Sequence, residues 1–473
     1  MKKILSAFVL LFLAWSVTAH PWKPQHYVIV DTDCGMDDFR ALCLLMASPN
    51  VRVLAITVSD GVLDARSGFS KVKALLNDLN HEGVLVGLNS SPDIKPQICF
   101  PAEQMQWGTM QPSGGDKPLA VDIVNYVLNN TQENISFISL GTLSTASRCA
   151  LECPKFASRI NQILWSSNPD YKTDNLNYEL DTNSADIVIS GNLPVNLIFH
   201  GYLNQYDDSL ISTISNISTT CAEKIVNSLA NTGNHYARVF FDESIIFYLH
   251  NKALFQADTL DNLIYNHLKA STPRSVIQET IKNILSGEKL NQNQVFSVFP
   301  MDSSDYYADV QKIMPEALRL YGREEWVANV LSNELHRHLG VYSVIGVKMG
   351  VRAKEYFGAG IDEMSIVSYA GLNPPLSCMN DGLQVSTGAT LGHGLIIIAR
   401  DSLALPQADF IYMNEHIRLF LKPEYRTRIE PEIMELSKVY GLDSNIYWEL
   451  VRKAAIKYWI NFNRKDMFTI QVL

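Results

Sequence analysis

Tyr27-Val28-Ile29-Val30-Asp31-Thr32-Asp33-Cys34-Gly35-Met36-Asp37-Asp38 is the stretch on which the reading of this chain turns. A β-branched run ends in four carboxylates within eight residues, with Gly35 among them, and an apolar pattern of Phe39, Leu42, Cys43 and Met46 comes next at helical spacing. This order predicts strand, tight turn and helix, placing Asp31 and Asp33 at the carboxyl end of the strand and Asp37 and Asp38 in the first helical turn. A helix dipole favours negative charge there, but carboxylates this close repel one another and raise at least one pKa unless a cation sits among them. An all-oxygen donor set suits calcium or magnesium rather than zinc or copper.

A plain acidic helix cap needs only one or two such side chains. An EF-hand loop fails at its twelfth position, where Leu42 stands in place of a bidentate Glu. A phosphatase of the haloacid dehalogenase type would use Asp31 as nucleophile and Asp33 as acid/base, with Thr57 closing the next strand, and leaves Asp37 and Asp38 idle. The segment with its following strand, Val53 to Val58, resembles the nucleoside hydrolase family, whose signature is Asp-x-Asp-Pro-Gly-x-Asp-Asp. Only the proline differs, replaced by Cys34.

The 473 residues allow two or three full cores, and 47% hydrophobic against 19% charged residues describes a globular chain. A net charge of −10 without a basic cluster argues against a nucleic-acid surface. Residues 1–19 read as a signal peptide, with Lys2 and Lys3, an apolar run to Trp15 and the small-residue site Val17-Thr18-Ala19. The expectation is export, to a bacterial periplasm or the exterior, with no membrane span. Seven cysteines leave at least one unpaired, and Cys149 and Cys153 read as buried packing.

Strands expected at Val53 to Val58, Val84 to Gly87, Ile135 to Leu140 and Ile160 to Trp165 alternate with helices such as Ser67 to Leu79. That alternation predicts a layered α/β fold with a mostly parallel sheet and ligands outside the strands' carboxyl ends. The family resemblance continues through Leu140-Gly141-Thr142-Leu143-Ser144-Thr145, Asn177-Tyr178-Glu179-Leu180-Asp181 and Phe241-Asp242-Glu243. It implies one calcium ion held by Asp33, Asp38, Asp242 and the carbonyl of Ser144, gripping the vicinal hydroxyls of a ribose and a water. It implies further that Asp37 takes the water's proton, that Asp31 steadies the turn, and that Asn177, Asn175 and Trp165 line the substrate. Trp165 is equally readable as core. Departures from the family pattern are Val62, Trp165-Ser166-Ser167, Asn175 and Phe241, all at sugar or base contacts. The implied substrate is a small ribosyl molecule, and the implied assembly a homo-oligomer.

The first domain is expected over 26–323, ending after a strand at Gln294 to Val298, and a second, α+β domain over 324–473. Glu334-Leu335-His336-Arg337-His338-Leu339-Gly340 and the run from Cys378 to Gly394 resemble the FmdE family of formylmethanofuran dehydrogenase proteins. The resemblance implies a zinc-like site of His336, His338 and Cys378 with an open position. Ala389 replaces the second cysteine of that pattern, which removes a cysteine-pair redox role. The reading is an exported calcium-dependent hydrolase of an N-ribosyl bond with a C-terminal metal- or ligand-binding domain. The alternatives are a calcium- and ribosyl-binding protein without turnover, then the phosphatase.

Overall fold

The computed structural model describes residues 24–473, apart from 110–116, 168–169, 174, 192, 200–204, 231–237, 261–262, 288–294, 297 and 400–402. The expected signal peptide lies outside the described residues. Eight strands form the first sheet: β1 (His26–Thr32), β2 (Val51–Ser59), β3 (Leu85–Asn89), β4 (Ile135–Ser139), β5 (Ile160–Ser166), β6 (Val195–Phe199), β7 (Phe255–Leu260) and β8 (Leu263–Leu268). Their order is β3-β2-β1-β4-β5-β6-β8-β7, parallel throughout except for the β7–β8 pair.

Alternation along β1 divides the sheet between two cores. Val28 and Val30 pack on one face with Leu42 and Leu45 of the helix Met36–Ala47, while Ile29 packs on the other with Val124, Phe137 and Phe156. Both faces are covered, so the central strands are apolar along nearly their whole length. The chain runs outward from β1 to β3 and then returns to β1's other side as β4. This reversal makes the carboxyl ends of β1 and β4 the topological switch point, where such sheets commonly form their ligand crevice.

The second unit has a sheet of β9 (Ser365–Ser368), β10 (Ile396–Ile398), β11 (Gln407–Tyr412), β12 (Glu415–Leu421) and β13 (Phe468–Val472), ordered β10-β9-β11-β12-β13. Helices Val341–Phe357 and Asn445–Asn461 belong to the same core. The expected boundary at 323 falls inside this unit. Phe299, Val310, Met314 and Ala317 already belong to the second core, and the long helix Ala308–His336 bends at Gly322, whose φ of 79° suits glycine. The strand expected at 294–298 is absent among its described residues: Val295, Phe296 and Val298 are exposed bends. Gln294 and Ser297 lie outside the described residues.

Inside the second core, Lys348 donates to Glu325 at 2.6 Å and lies 3.6 Å from the Tyr321 ring centre, while Arg464 bridges Glu325 and Glu355. Glu325 and Lys348 are fully buried, so each charge is tolerable only because the others are there.

The two units meet at the amino-terminal ends of β2, β3 and β4. Arg52, second residue of β2, donates to Glu363 at 2.9 Å and to the Gly358 carbonyl at 2.6 Å. Arg352 reaches Glu82 at 2.7 Å, His81 bonds the Glu355 carbonyl at 2.6 Å, and the Gly83 amide donates to the Tyr356 carbonyl at 2.7 Å. Arg52→Met strands Glu363 in the interface and is expected to cost ~3 kcal/mol. Urea unfolding followed by tryptophan fluorescence should show an earlier midpoint with the two units separating. An unchanged single transition would show that this ion pair does not join them.

Candidate active site and metal centre

β1 ends in the crevice beside β4, and the turn after it is shaped by Thr32 and Cys34. The Thr32 hydroxyl accepts from the Cys34 amide at 3.0 Å and donates to Asp38 Oδ1 at 2.5 Å. Cys34 takes a φ of 68°, in the left-handed region. Proline is held near −65° and has no amide hydrogen, so a proline at this position could adopt neither the turn nor its hydrogen bond. The one departure in the motif therefore brings its own loop geometry.

That geometry gathers Asp37, Asp38 and Asp242, with one ligand atom of each within 4.8 Å of the others. Asp38 and Asp242 are both buried, and β5 ends at Ser166. The second oxygen of Asp242, Oδ2, is buried without a partner. An acceptor oxygen shut away from water and unpaired fits a cation ligand.

Asp33 stands beside this group rather than in it. Its Oδ2 accepts from the Val62 amide at 3.0 Å, and backbone presses on it from two sides. A Cβ on Gly61 would fall 2.1 Å from Asp33 Oδ2, and one on Gly141 would fall 2.9 Å from Asp33 Cβ. Only glycine at both positions leaves this carboxylate its place.

Asp31 is fully buried, with Thr57 donating to Oδ1 at 2.6 Å and Ser59 to Oδ2 at 2.8 Å. Both oxygens are occupied and the side chain is shut away from solvent, which disfavours Asp31 as the nucleophile of a phosphatase. Burial drives the Asp31 pKa up to about 7, against the pull of the surrounding hydroxyls. Burial, then the charge of Asp37, raises Asp38 to about 6. Asp33 and Asp242 stand well above the usual carboxylate range, first through burial and then through the neighbouring carboxylates.

Ser144 opens the helix Ser144–Glu152, and its hydroxyl accepts from Thr142 at 2.9 Å and from Asn89 at 3.2 Å. Trp165 is fully buried and gives its indole N–H to the Gly141 carbonyl at 3.0 Å. It has no free face to stack on a base, so the substrate-lining expectation gives way to a core residue that fixes the Gly141 loop against Asp33. Asn175 caps the short helix Leu176–Leu180 and donates to Ser167 at 2.8 Å. Asn177 donates to the Leu140 carbonyl at 3.0 Å, tying its segment to the β4 turn. Thr32, Ser59 and Asn89 were not singled out from sequence, and Ser166 entered only as a departure from the family pattern. Ser59 and Asn89 close strands β2 and β3 at the same rim, and that placement is the signal that marks them.

In the second unit, His336 Nδ1 bonds Asp381 Oδ2 at 2.7 Å, and the His336 and His338 rings lie 4.1 Å apart. His336 Nε2 is buried without a partner, and His336 lines a cavity of about 290 Å³ with Cys378 and Asp381. Among the described residues, Cys378 does not converge with the two histidines into a three-ligand group. Burial raises the Cys378 thiol to about 11, the direction of an inert thiol. All seven cysteines are free.

The raised carboxyl pKa values make a pH prediction. A carboxyl raised from 3.8 to about 6 stabilises the metal-free fold fully below 3.8, and that stability is lost as pH rises through 6. A cation binds the ionised form and expels the proton, so its stabilisation grows over the same range. The thermal midpoint with excess calcium minus that with chelator should be small near about pH 5 and largest above about pH 7. A difference independent of pH would remove Asp38 from the cation site.

Known proteins resemble this chain in sequence and in fold. A probable uridine nucleosidase of Oryza sativa subsp. japonica is 21% identical over 185 residues, 36% of this chain and 57% of that one. A pyrimidine-specific ribonucleoside hydrolase of Klebsiella pneumoniae is 23% identical over 185 residues, 36% of this chain and 58% of its own. The chain thus spans somewhat under three fifths of the length of these curated relatives. Among solved structures, a plant nucleoside hydrolase aligns over 55% of this chain and 99% of its own with a TM-score of 0.45 at 16% identity. An inosine-uridine preferring nucleoside hydrolase from Bacillus anthracis aligns over 56% of this chain and 100% of its own, with a TM-score of 0.44 at 14% identity. Residues 335–468 match the family described as FmdE, molybdenum formylmethanofuran dehydrogenase operon. Residues 28–288, more than half of the chain, match the inosine-uridine preferring nucleoside hydrolases, and it is to that family that this protein belongs.

Proposed function

We propose that the chain hydrolyses an N-ribosyl bond of a nucleoside-type small molecule with a calcium ion at Asp37, Asp38 and Asp242. The observation that carries this reading is the convergence of Asp37, Asp38 and Asp242 at the sheet's switch point, with Asp242 keeping a buried Oδ2 that has no partner. Several like charges held this close, and acceptors only, ask for a hard divalent cation. A bound calcium would lower the pKa of a water and anchor the sugar hydroxyls.

The protein's own groups supply the rest. Asp33 would accept a proton from an attacking water; its support is that it stands outside the three-carboxylate group, with one oxygen held by the Val62 amide. The sequence suggested the opposite division, with Asp37 as base and Asp33 as ligand. The close grouping of Asp37 with Asp38 and Asp242 favours the exchange. Ser144 enters as a carbonyl donor at the rim, and Asn175 and Asn177 as the segment that closes over the sugar. Export is part of the proposal and rests on the sequence pattern of residues 1–19 alone.

For the second unit we propose a transition-metal or ligand site centred on His336 and His338. The support is the Asp381 carboxylate on His336 Nδ1, which orients the ring as metal-binding histidines are commonly oriented, together with the orphaned Nε2. Cobalt(II) titration tests it: d–d absorption should appear and be lost in His336→Ala. A thiolate charge-transfer band would add Cys378 to the ligands.

The central test is reducing-sugar release from a panel of ribonucleosides, with calcium and with chelator. Release should require calcium. Asp33→Asn should lower kcat by ~10²-fold or more with calcium affinity retained, whereas Asp37→Asn should weaken calcium binding itself. The reverse pattern restores Asp37 as the base. Calcium binding without release from any nucleoside would identify a ribosyl-binding protein.

A further inference from the structure

Arg40 and Glu243 form a buried ion pair next to the carboxylate group, and no step of the proposed hydrolysis uses it. Arg40 lies on the helix Met36–Ala47, one residue beyond the Asp37-Asp38-Phe39 turn, and Glu243 follows Asp242 in sequence. Their side chains are 1% and 0% exposed, and Arg40 Nε donates to Glu243 Oε1 at 2.6 Å. Glu243 Oε2 accepts from the Phe241 amide at 3.0 Å, and Arg40 Nη2 reaches the Val239 carbonyl at 3.4 Å. The Arg40 guanidinium also lies 5.4 Å from the Tyr206 ring centre, and Tyr206 packs edge-on against Phe240.

These contacts enclose one backbone turn. Asp242 sits in that turn as the residue before the helix Glu243–His250, and its own side chain makes no capping bond. The turn is held instead by Glu243 from inside and by Arg40 from the helix that carries Asp37 and Asp38. We propose that Arg40 and Glu243 are positioning residues that set the distance between Asp242 and the Asp37–Asp38 pair, and so determine the calcium affinity of the site. This rests on the calcium reading above.

Electrostatics alone makes the opposite prediction for one variant. Removing the cation of Arg40 beside a cluster of carboxylates should tighten calcium binding, whereas loosening the Asp242 turn should weaken it. Calcium titration calorimetry on the full chain, with circular dichroism melting alongside, reads the sign. Arg40→Met should bind calcium ~10-fold more weakly or worse, the range typical of groups that orient metal ligands.

A lone buried Glu243 could prevent folding, so the double variant Arg40→Met/Glu243→Leu carries the test as well. It removes both charges together, leaves the local net charge unchanged, and replaces a buried pair by apolar side chains, which folds commonly tolerate. It should melt near the wild-type temperature and still bind calcium ~10-fold more weakly. Arg40→Lys keeps the charge without the planar fork and should recover only part of the loss. Wild-type affinity in the folded double variant, or tighter binding in Arg40→Met, overturns the inference while leaving the calcium site standing. A wild-type chain that binds no calcium overturns the metal reading and this inference with it.

Discussion

The mutual repulsion of buried carboxylates is the constraint around which the first domain is built. Asp31, Asp33, Asp38, Asp242 and Glu243 are each nearly or fully buried at one end of one sheet, with Asp37 half-buried beside them. Arg40 is the buried cation paired among them, and it is bound to Glu243. A protein interior does not keep so many ionised acids without compensation. Each acid is answered by a different device: hydroxyls for Asp31, a backbone amide for Asp33, the Thr32 hydroxyl for Asp38, a guanidinium for Glu243. Asp242 retains an unanswered oxygen, and there the arrangement asks for something the chain does not contain.

The fold was largely legible in the sequence because the central strands are buried on both faces. Apolar runs such as Val53 to Val58 can be neither surface strands nor amphipathic helices, and β2 lies where that run stands. The carboxylate motif was legible for a similar reason, since few structures tolerate such crowding without a ligand. That Asp37 groups with Asp38 and Asp242 while Asp33 stands to one side was not legible. The turn between them passes through Cys34, and a left-handed φ at a non-glycine residue leaves no compositional trace. The supporting hydroxyls escaped notice because serine and threonine at strand ends are ordinary turn residues until the partner strand shows what they face.

The segment before the expected boundary packs on the second core for a physical reason. The segment from Ala308 to Tyr321 is helical in pattern and runs straight into the helical residues after it, and nothing local says which core its apolar face will join. Trp165 illustrates the same limit at one residue. Its indole N–H needed a partner, a base-stacking wall and a core with a carbonyl would satisfy it equally, and the Gly141 carbonyl decides for the core.

The docking of the second unit also determines what the two halves can share. Arg52 marks the joint and Ser59 the rim of the carboxylate crevice, and the extended strand between them spans roughly 23 Å at ~3.3 Å per residue. The contacts between the units that run through Arg52 therefore lie a full strand's length from the carboxylate group. The joint is thus made at the amino-terminal end of β2, and the carboxylates gather at the opposite end of the same sheet.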